Sequence, residues 1–356
     1  MSSSKVVIPS VPSARGHLYR VAIVGAATLK GKEVIEMLKE RNFPSIDVRL
    51  LDDDESIGQL EATGDEMNFI QSVRSEQFSH VDFTFFAGDG ECTRANWKRA
   101  RDAGSTIIDL SGALEAEPGA QVRSLWLERE RGEVRQPELQ PAPCVVPHPA
   151  AVMLSLLLLR ASKAGAIDNA SATIFEPASE QGQKGMDELH QQTVNLLSFQ
   201  PLPKNVFDEQ VAFNMLVRYG TNSRLSLASL ETRVHEQYAK LVGEQWAQPA
   251  IMMLQAPVFH GESMAIFLEM EQSAQLERVS QALAGDHVSI ISGDESYPSN
   301  VSTAGQPDIV VSLKADTARP NGIWIWAAAD NLRLAASAAV EAAESLTATR
   351  PLGKIQ

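Results

Sequence analysis

The stretch that most limits how this chain can fold lies near its start. Leu18-Tyr19-Arg20-Val21-Ala22-Ile23-Val24 reads as a buried strand, and Gly25-Ala26-Ala27-Thr28-Leu29-Lys30-Gly31 follows it. An amphipathic helix over residues 32–41 comes next, then a second strand over 47–51 and the acidic cluster Asp52-Asp53-Asp54-Glu55. Strand, glycine turn, helix, strand and acid is the order of a Rossmann-type mononucleotide unit, whose glycines admit a pyrophosphate to a helix N-terminus. Gly25 and Gly31 hold the ends of the loop, but Thr28 brings a Cβ and a hydroxyl to its middle. Two outcomes stand side by side: retained dinucleotide binding, or glycines that serve only the turn and helix–strand packing.

At 356 residues the chain is long enough for two domains with their own cores. The longest apolar run, residues 152–159, is too short to span a bilayer. Residues 1–17 read as a polar, disordered tail without the apolar centre of a signal peptide. Two cysteines, Cys92 and Cys144, form no disulfide framework, which makes the cytoplasm the default compartment. A net charge of −14 argues against nucleic acid or an anionic membrane as partner. The seven histidines show no His-x-His or His-Glu-x-x-His spacing, so no metal is expected.

Further along, a strand over 82–87 leads to a basic helix over 94–103, with Cys92 just before it. A thiol near a helix N-terminus is a candidate for a depressed pKa, although an inert cysteine is the commoner outcome. Residues 116–143 hold four prolines and the charge run Glu128-Arg129-Glu130-Arg131-Gly132-Glu133, the pattern of a solvated, irregular connection. Cys144-Val145-Val146 then feeds the turn Pro147-His148-Pro149, which opens a helix that is apolar on nearly every side. Such a strand–turn–helix points backbone N–H groups at whatever sits in the first helical turn, the place where a thiolate nucleophile gains from the helix dipole. Ala150 sits there. Cys144 is about 20 Å away at strand rise, at the wrong end of the strand to substitute.

Taken together these segments resemble the aspartate-semialdehyde dehydrogenase family from about Val21 to Leu346. The family's Asn-Pro-Asn-Cys falls on Pro147-His148-Pro149-Ala150, so its nucleophile becomes an alanine. Its Tyr-Gln-Ala-x-Ser-Gly-x-Gly motif, followed by Met-x-Glu-Leu, is similar to the segment from Phe175 to Leu189, with Glu176 on the active-site Gln and Ser179 and Gly182 kept. Its Arg-x-Pro-Val-x-x-Gly-His-Ser falls on the segment from Gln255 to Ser263; Gln255 replaces the substrate-binding Arg and Glu262 the general-base His. His260, two residues earlier, would share a strand face with Glu262 but is out of register with that base. Glu115 and Glu55 fall where the family has anion-binding arginines, while Glu231 and Arg233 match its substrate-facing Glu-x-Lys, a pair equally common on a solvated helix face. Asp330-Asn331-Leu332-Arg333 opens the family's returning C-terminal helix. Gln255-x-Pro257-Val258-Phe259-x-Gly261 with an acid for the His is also the pattern of the family's Usg-type paralogues.

The resemblance implies an α/β chain: a Rossmann-type domain over 18–146, completed by a helix within 330–356, and an α+β dimerisation domain over 147–329. It implies a dinucleotide site at Gly25, Thr28, Gly31, Asp52, Ser56, Ser179 and Gly182, weakened at Thr28. NAD is favoured over NADP, because an acid at Asp52 or Asp53 accepts from a free ribose 2′-OH and Glu55 repels a 2′-phosphate. Three readings of function follow. One is a silent, homodimeric paralogue that modulates partners such as an active family member. Another is an NAD(P)-linked enzyme with altered chemistry, using Glu176 and Glu262 as an acid/base pair. The third is a small-ligand sensor built on the cleft and Glu231/Arg233.

Overall fold

The computed structural model describes residues 18–52, 57–63, 66–133, 141–243, 248–272, 276–292 and 297–347. The tail over 1–17, the positions of Asp53, Glu55 and Ser56, and the end of the chain after 347 lie outside the described residues.

The opening unit folds as β1 (Tyr19–Val24), α1 (Leu29–Glu40) and β2 (Ser45–Asp52). A ribbon of β3 (Leu60–Thr63) and β4 (Glu66–Phe69), the short β5 (Gln71–Ser72), β6 (Phe83–Phe86), α2 (Gly90–Asp102) and β7 (Thr106–Asp109) follow. Then come β8 (Gln121–Val122), α3 (Leu125–Glu130) and β9 (Cys144–Val145). Seven of these strands form one sheet in the order β5-β2-β1-β6-β7-β9-β8, and every pairing is parallel. Covered on both faces, such strands are mostly apolar: all four residues of β6 are buried, and its one polar side chain, Thr84, pairs with Ser105 Oγ at 2.7 Å. The chain order reverses where β1 pairs with β2 on one side and β6 on the other. The helices that follow β1 and β6 pack into different core clusters, and the strands' C-terminal ends at this switch point are where a cleft is expected.

A second sheet begins after α4 (Pro149–Ala161) with β10 (Ile167–Glu176), α5 (Gly182–Leu197), α6 (Leu227–Val242) and β11 (Ala250–Gln255). It continues with β12 (Glu262–Met270), α7 (Leu276–Leu283), β13 (Val288–Ile290), β14 (Ile309–Ala315) and β15 (Gly322–Ala329). The strand order is β11-β10-β12-β15-β14-β13, with both parallel and antiparallel pairs. All thirteen residues of α4 are buried, so the all-round apolar sequence is that of a core helix. Its neighbours alternate as half-covered strands must: Met264, Ile266 and Leu268 of β12 are buried, while Ala265 and Phe267 between them are only partly covered. α8 (Asn331–Thr347) returns to the first sheet, where Ala336, Ala339 and Ala343 join the core cluster that holds Val34 and Leu38 of α1.

Two segments differ from the sequence reading. The helix expected over 94–103 starts at Gly90, because Asp89 caps it by accepting from the Cys92 amide at 2.8 Å. The expected loop over 116–143 contains β8 and α3, and its charges are paired rather than solvated. Arg123 grips Glu128 through two bonds of 2.8 Å, and Glu130 holds Arg160 of α4. Trp126 and Leu127, both buried, draw these residues onto the core.

Candidate functional site

The glycine loop is closed by its own side chains. Gly25 has φ +86°, and a Cβ there would lie 2.3 Å from the Gly88 amide; a Cβ on Gly31 would lie 2.1 Å from the Gly25 carbonyl oxygen. Both glycines are therefore demanded by backbone contact, whatever binds above them. Thr28 is the N-cap of α1: its Oγ1 accepts from the Gly31 amide at 3.0 Å and donates to the carbonyl oxygens of Gly25 and Ala87 at 2.7 and 3.0 Å. Asp52 accepts from the Ala27 amide at 2.7 Å, pinning the loop from the end of β2. Thr28 and Asp52 line a cleft of about 970 Å³, into which Ser111, Ser179, Gly182 and Arg233 also face. Cys92, in the first turn of α2, is half-buried at its rim.

At the deep end of this cleft, three neighbouring strands finish beside the N-terminus of α4. Phe175 pairs with Ser263, so the next positions outward on β10 and β12, Glu176 and Glu262, point to the face that carries Ile174 and Met264. Gln255 of β11 lies beside Glu176. All three side chains are fully buried, as is Ala150 opposite them in the first turn of α4.

Gln255 is wholly committed. It accepts from the Tyr219 hydroxyl at 2.8 Å and donates to the carbonyl oxygens of Glu176 and Ala256 at 2.9 and 3.0 Å. Burial, followed by the nearby Glu176 charge, pushes the Tyr219 phenol well above its ordinary range, so it stays a donor. Glu176 and Glu262 stand in contrast: none of their four carboxylate oxygens has a hydrogen-bond partner. His148 Nε2 is also without a hydrogen bond, lying 3.5 Å from Glu176 Oε1 and 3.8 Å from Glu180 Oε2, ionic-contact range. The ring is fixed by Nδ1, which accepts from the Ala150 amide at 3.2 Å.

Electrostatics separate the three acids. Burial favours the protonated form of Glu180, but Lys30 at 2.9 Å, His148 and a bond from Asn331 outweigh it and hold the carboxyl down at about 2. Glu180 thus takes the Lys30 charge, and α1 is tied to the loop before α5. Burial raises Glu176, only partly offset by His148. Glu262 is driven well above the usual range by burial and then by the charges of Glu176 and Glu180.

The remaining sequence candidates fall in different places. Arg233 reaches the cleft but is paired there: its Nε and Nη2 both lie 2.6 Å from Glu115 Oε1. Gln237 donates to the same oxygen at 2.6 Å and accepts from the His148 amide at 2.7 Å. Glu231 does not face the cleft; it accepts from the Met253 amide of β11 at 2.9 Å. Residues two apart on a helix point to opposite sides, so Glu231 and Arg233 do not act as a pair. His260 sits in a bend before β12, not on a strand, and so shares no strand face with Glu262. Ser179 and Asn331 bond each other at 3.1–3.2 Å, joining α8 to the loop before α5. Ser56 lies outside the described residues. Sequence reasoning passed over His148, Glu180, Lys30 and Tyr219. For His148 a signal existed, since a side-chain acceptor directly before Pro149 stands at the cap of α4.

A parallel sheet with a glycine loop at its switch point, joined to a mixed sheet behind one shared cleft, is the architecture of a two-domain, nucleotide-binding dehydrogenase. Two family models match the chain: "Semialdehyde dehydrogenase, NAD binding domain" over residues 20–197 and "Semialdehyde dehydrogenase, dimerisation domain" over 158–334. The USG-1 protein homolog of Pseudomonas aeruginosa is 33% identical over 322 residues, covering 89% of this chain and 94% of that protein. An aspartate-semialdehyde dehydrogenase of Rickettsia conorii is 26% identical over 340 residues, covering 92% and 97%. A solved structure from Pseudomonas aeruginosa, described as a probable aspartate-semialdehyde dehydrogenase, superposes with a TM-score of 0.83 at 31% identity, over 93% of this chain and 99% of that one. The chain belongs to the semialdehyde dehydrogenase family.

Proposed function

We propose that this chain has lost the thioester chemistry of its family and serves as a homodimeric structural or regulatory protein that keeps the nucleotide cleft. The observation that carries this reading is Ala150, buried in the first turn of α4 where the family's cysteine falls. A methyl group cannot attack an aldehyde, and phosphorylating oxidation needs a thiolate, a base near neutral pKa and a cation for the substrate acid. The other two requirements fail with it: Glu262 stands for the base, and neutral Gln255, whose hydrogen bonds are all internal, stands where the family has the substrate-binding cation. Arg233, the cation kept in the cleft, is held by Glu115. Hetero-association with an active relative in the cytoplasm is the regulatory form of the proposal. NAD is favoured over NADP, because the carboxylate of Asp52 at the cleft opposes a 2′-phosphate.

The test is turnover of purified protein with aspartate semialdehyde, phosphate and either dinucleotide. Rates equal to a protein-free blank are expected, and dinucleotide reduction proportional to protein would overturn the reading. Calorimetric titration with NAD and then NADP reports separately whether the cleft is still used.

A second reading, an enzyme of altered chemistry, is favoured by one observation: Glu176 and Glu262 are buried with unsatisfied carboxylates beside His148. That arrangement suits acid/base work on a ligand in the cleft. Turnover of any substrate abolished by Glu176→Gln would select it.

A further inference from the structure

We infer that His148, Glu176 and Glu262 form a binding site for one divalent transition-metal cation at the floor of the cleft. This goes beyond the proposed function and does not depend on it, since a silent protein and an enzyme could both hold the ion.

Each of the three side chains offers one ligand atom, and these atoms all lie within 4.8 Å of one another. Among the described residues they make the one His/Cys/Asp/Glu cluster with that geometry. Glu176 and Glu262 are wholly buried, and four carboxylate oxygens plus His148 Nε2 lack hydrogen-bond partners. Buried polar atoms are almost always paired, so four orphaned carboxylate oxygens beside one imidazole nitrogen point to a missing electrophile.

Charge leads to the same place. The nearby cation, Lys30, already forms a 2.9 Å pair with Glu180. Gln255 donates both its hydrogens to carbonyl oxygens. Apart from the His148 imidazole beside Glu176, no cationic side chain is paired with Glu176 or Glu262 among the described residues, whereas one ion of charge two would neutralise both. The strands dictate this convergence. Glu176 and Glu262 occupy adjacent inward positions on antiparallel β10 and β12, and the cap of α4 brings His148 across from them.

One nitrogen and two carboxylate oxygens suit Zn²⁺, Mn²⁺ or Fe²⁺. Calcium wants six to eight oxygens and is a poor match. Coordination at about 2.0–2.2 Å brings ligand atoms closer than the observed spread, so the side chains must draw in. Binding through Nε2 also requires its lone pair. The ring proton then moves to Nδ1, and the present bond from the Ala150 amide is exchanged for the metal. Because His148 and Glu176 line the cleft, the ion would present its remaining position to that side, for water or a ligand oxygen. No spacing motif announces this site, because the three ligands are separated by 28 and 86 residues and lie on different elements.

The experiment uses full-length protein stripped with a chelator, then titrated calorimetrically with Zn²⁺ and with Mn²⁺, and with Co²⁺ followed by visible absorption. One ion per chain is expected, with at least a tenfold loss of affinity in both Glu176→Gln and Glu262→Gln. Asp316→Asn, on an exposed turn, should bind as the parent does. Oligomeric state and melting temperature without metal establish that each variant is folded. If a variant does not fold, an anomalous-scattering map of the parent crystal with Zn²⁺ decides: a peak among the three side chains supports the site, and a peak only elsewhere overturns it. Absence of stoichiometric binding by the parent, or unchanged binding by the folded double variant E176Q/E262Q, overturns it as well. A protonated-carboxyl infrared band that persists with excess metal and disappears in E262Q would assign the pair to a shared proton, and it too would overturn the proposal.

Discussion

A threonine in the glycine loop looks like an obstacle to a phosphate, yet Thr28 earns its position by capping α1 and tying its loop to the one after β6. Thr28→Ala should therefore cost about 1 kcal/mol of stability, the usual worth of an N-cap, seen as a lower urea midpoint at unchanged slope. Restoring the nucleophile is a second test at this scale. Ala150→Cys places a thiol in the first turn of α4, where the helix dipole favours the thiolate. The expected outcome is no gain of dehydrogenase turnover over the parent, because Gln255 and Arg233 stay bound to protein partners. Turnover restored by that single change would show that the other replacements are tolerated. The difference between Arg233 and Glu231 was beyond the sequence: each matched a motif, but only the fold reveals that one meets Glu115 and the other a strand amide.

Elements were more legible than residues. The order strand, glycine turn, helix, strand is dictated by apolar runs and turn residues that act locally, so β1, α1 and β2 could be read directly. The all-apolar α4 was equally plain, since no solvent-facing helix has that composition. What escaped was α3, six residues long and rich in charge, because it is held by the burial of only two apolar side chains, Trp126 and Leu127, and by ion pairs with distant partners such as Arg160. The convergence of Glu176, Glu262 and His148 escaped for a similar reason, being a consequence of strand register rather than of spacing along the chain. α4 offers the corresponding prediction. Leu156 is fully buried in it, so Leu156→Ala should destabilise the protein by about 2–5 kcal/mol, a large fall in denaturant midpoint.

At the scale of the molecule, His287 joins the two sheets' surroundings: its ring stacks on Trp126 of α3 at 3.9 Å and lies 3.7 Å from Glu341 of α8. Burial lowers its pKa below the ordinary 6.5, against the opposing pull of Glu341, Asp286 and Asp308 and with help from Arg129. A histidine depressed in the folded state binds its proton more readily when unfolded. Its contribution is therefore complete above pH 6.5 and is lost as pH falls through the lower folded value. The urea midpoint should fall on acidification below pH 6.5, and His287→Gln should flatten part of that slope; equal slopes would remove His287 from the account. The apolar surface makes the last prediction. Leu197 at the end of α5 and Phe199 just beyond it are 71% and 95% exposed, and Phe213 and Val217, on either side of the residue that bridges to β11, are 68% and 70% exposed. Water-facing side chains of this size, on the part matched by the dimerisation-domain model, are expected to be covered by a second copy. Val217→Asp then places a charge within that contact, and sedimentation should show a shift from dimer to monomer with the circular dichroism unchanged. If the variant stays dimeric, the contact lies instead on the sheet face that carries Phe267 and Trp324, and Trp324→Asp becomes the substitution that separates the protomers.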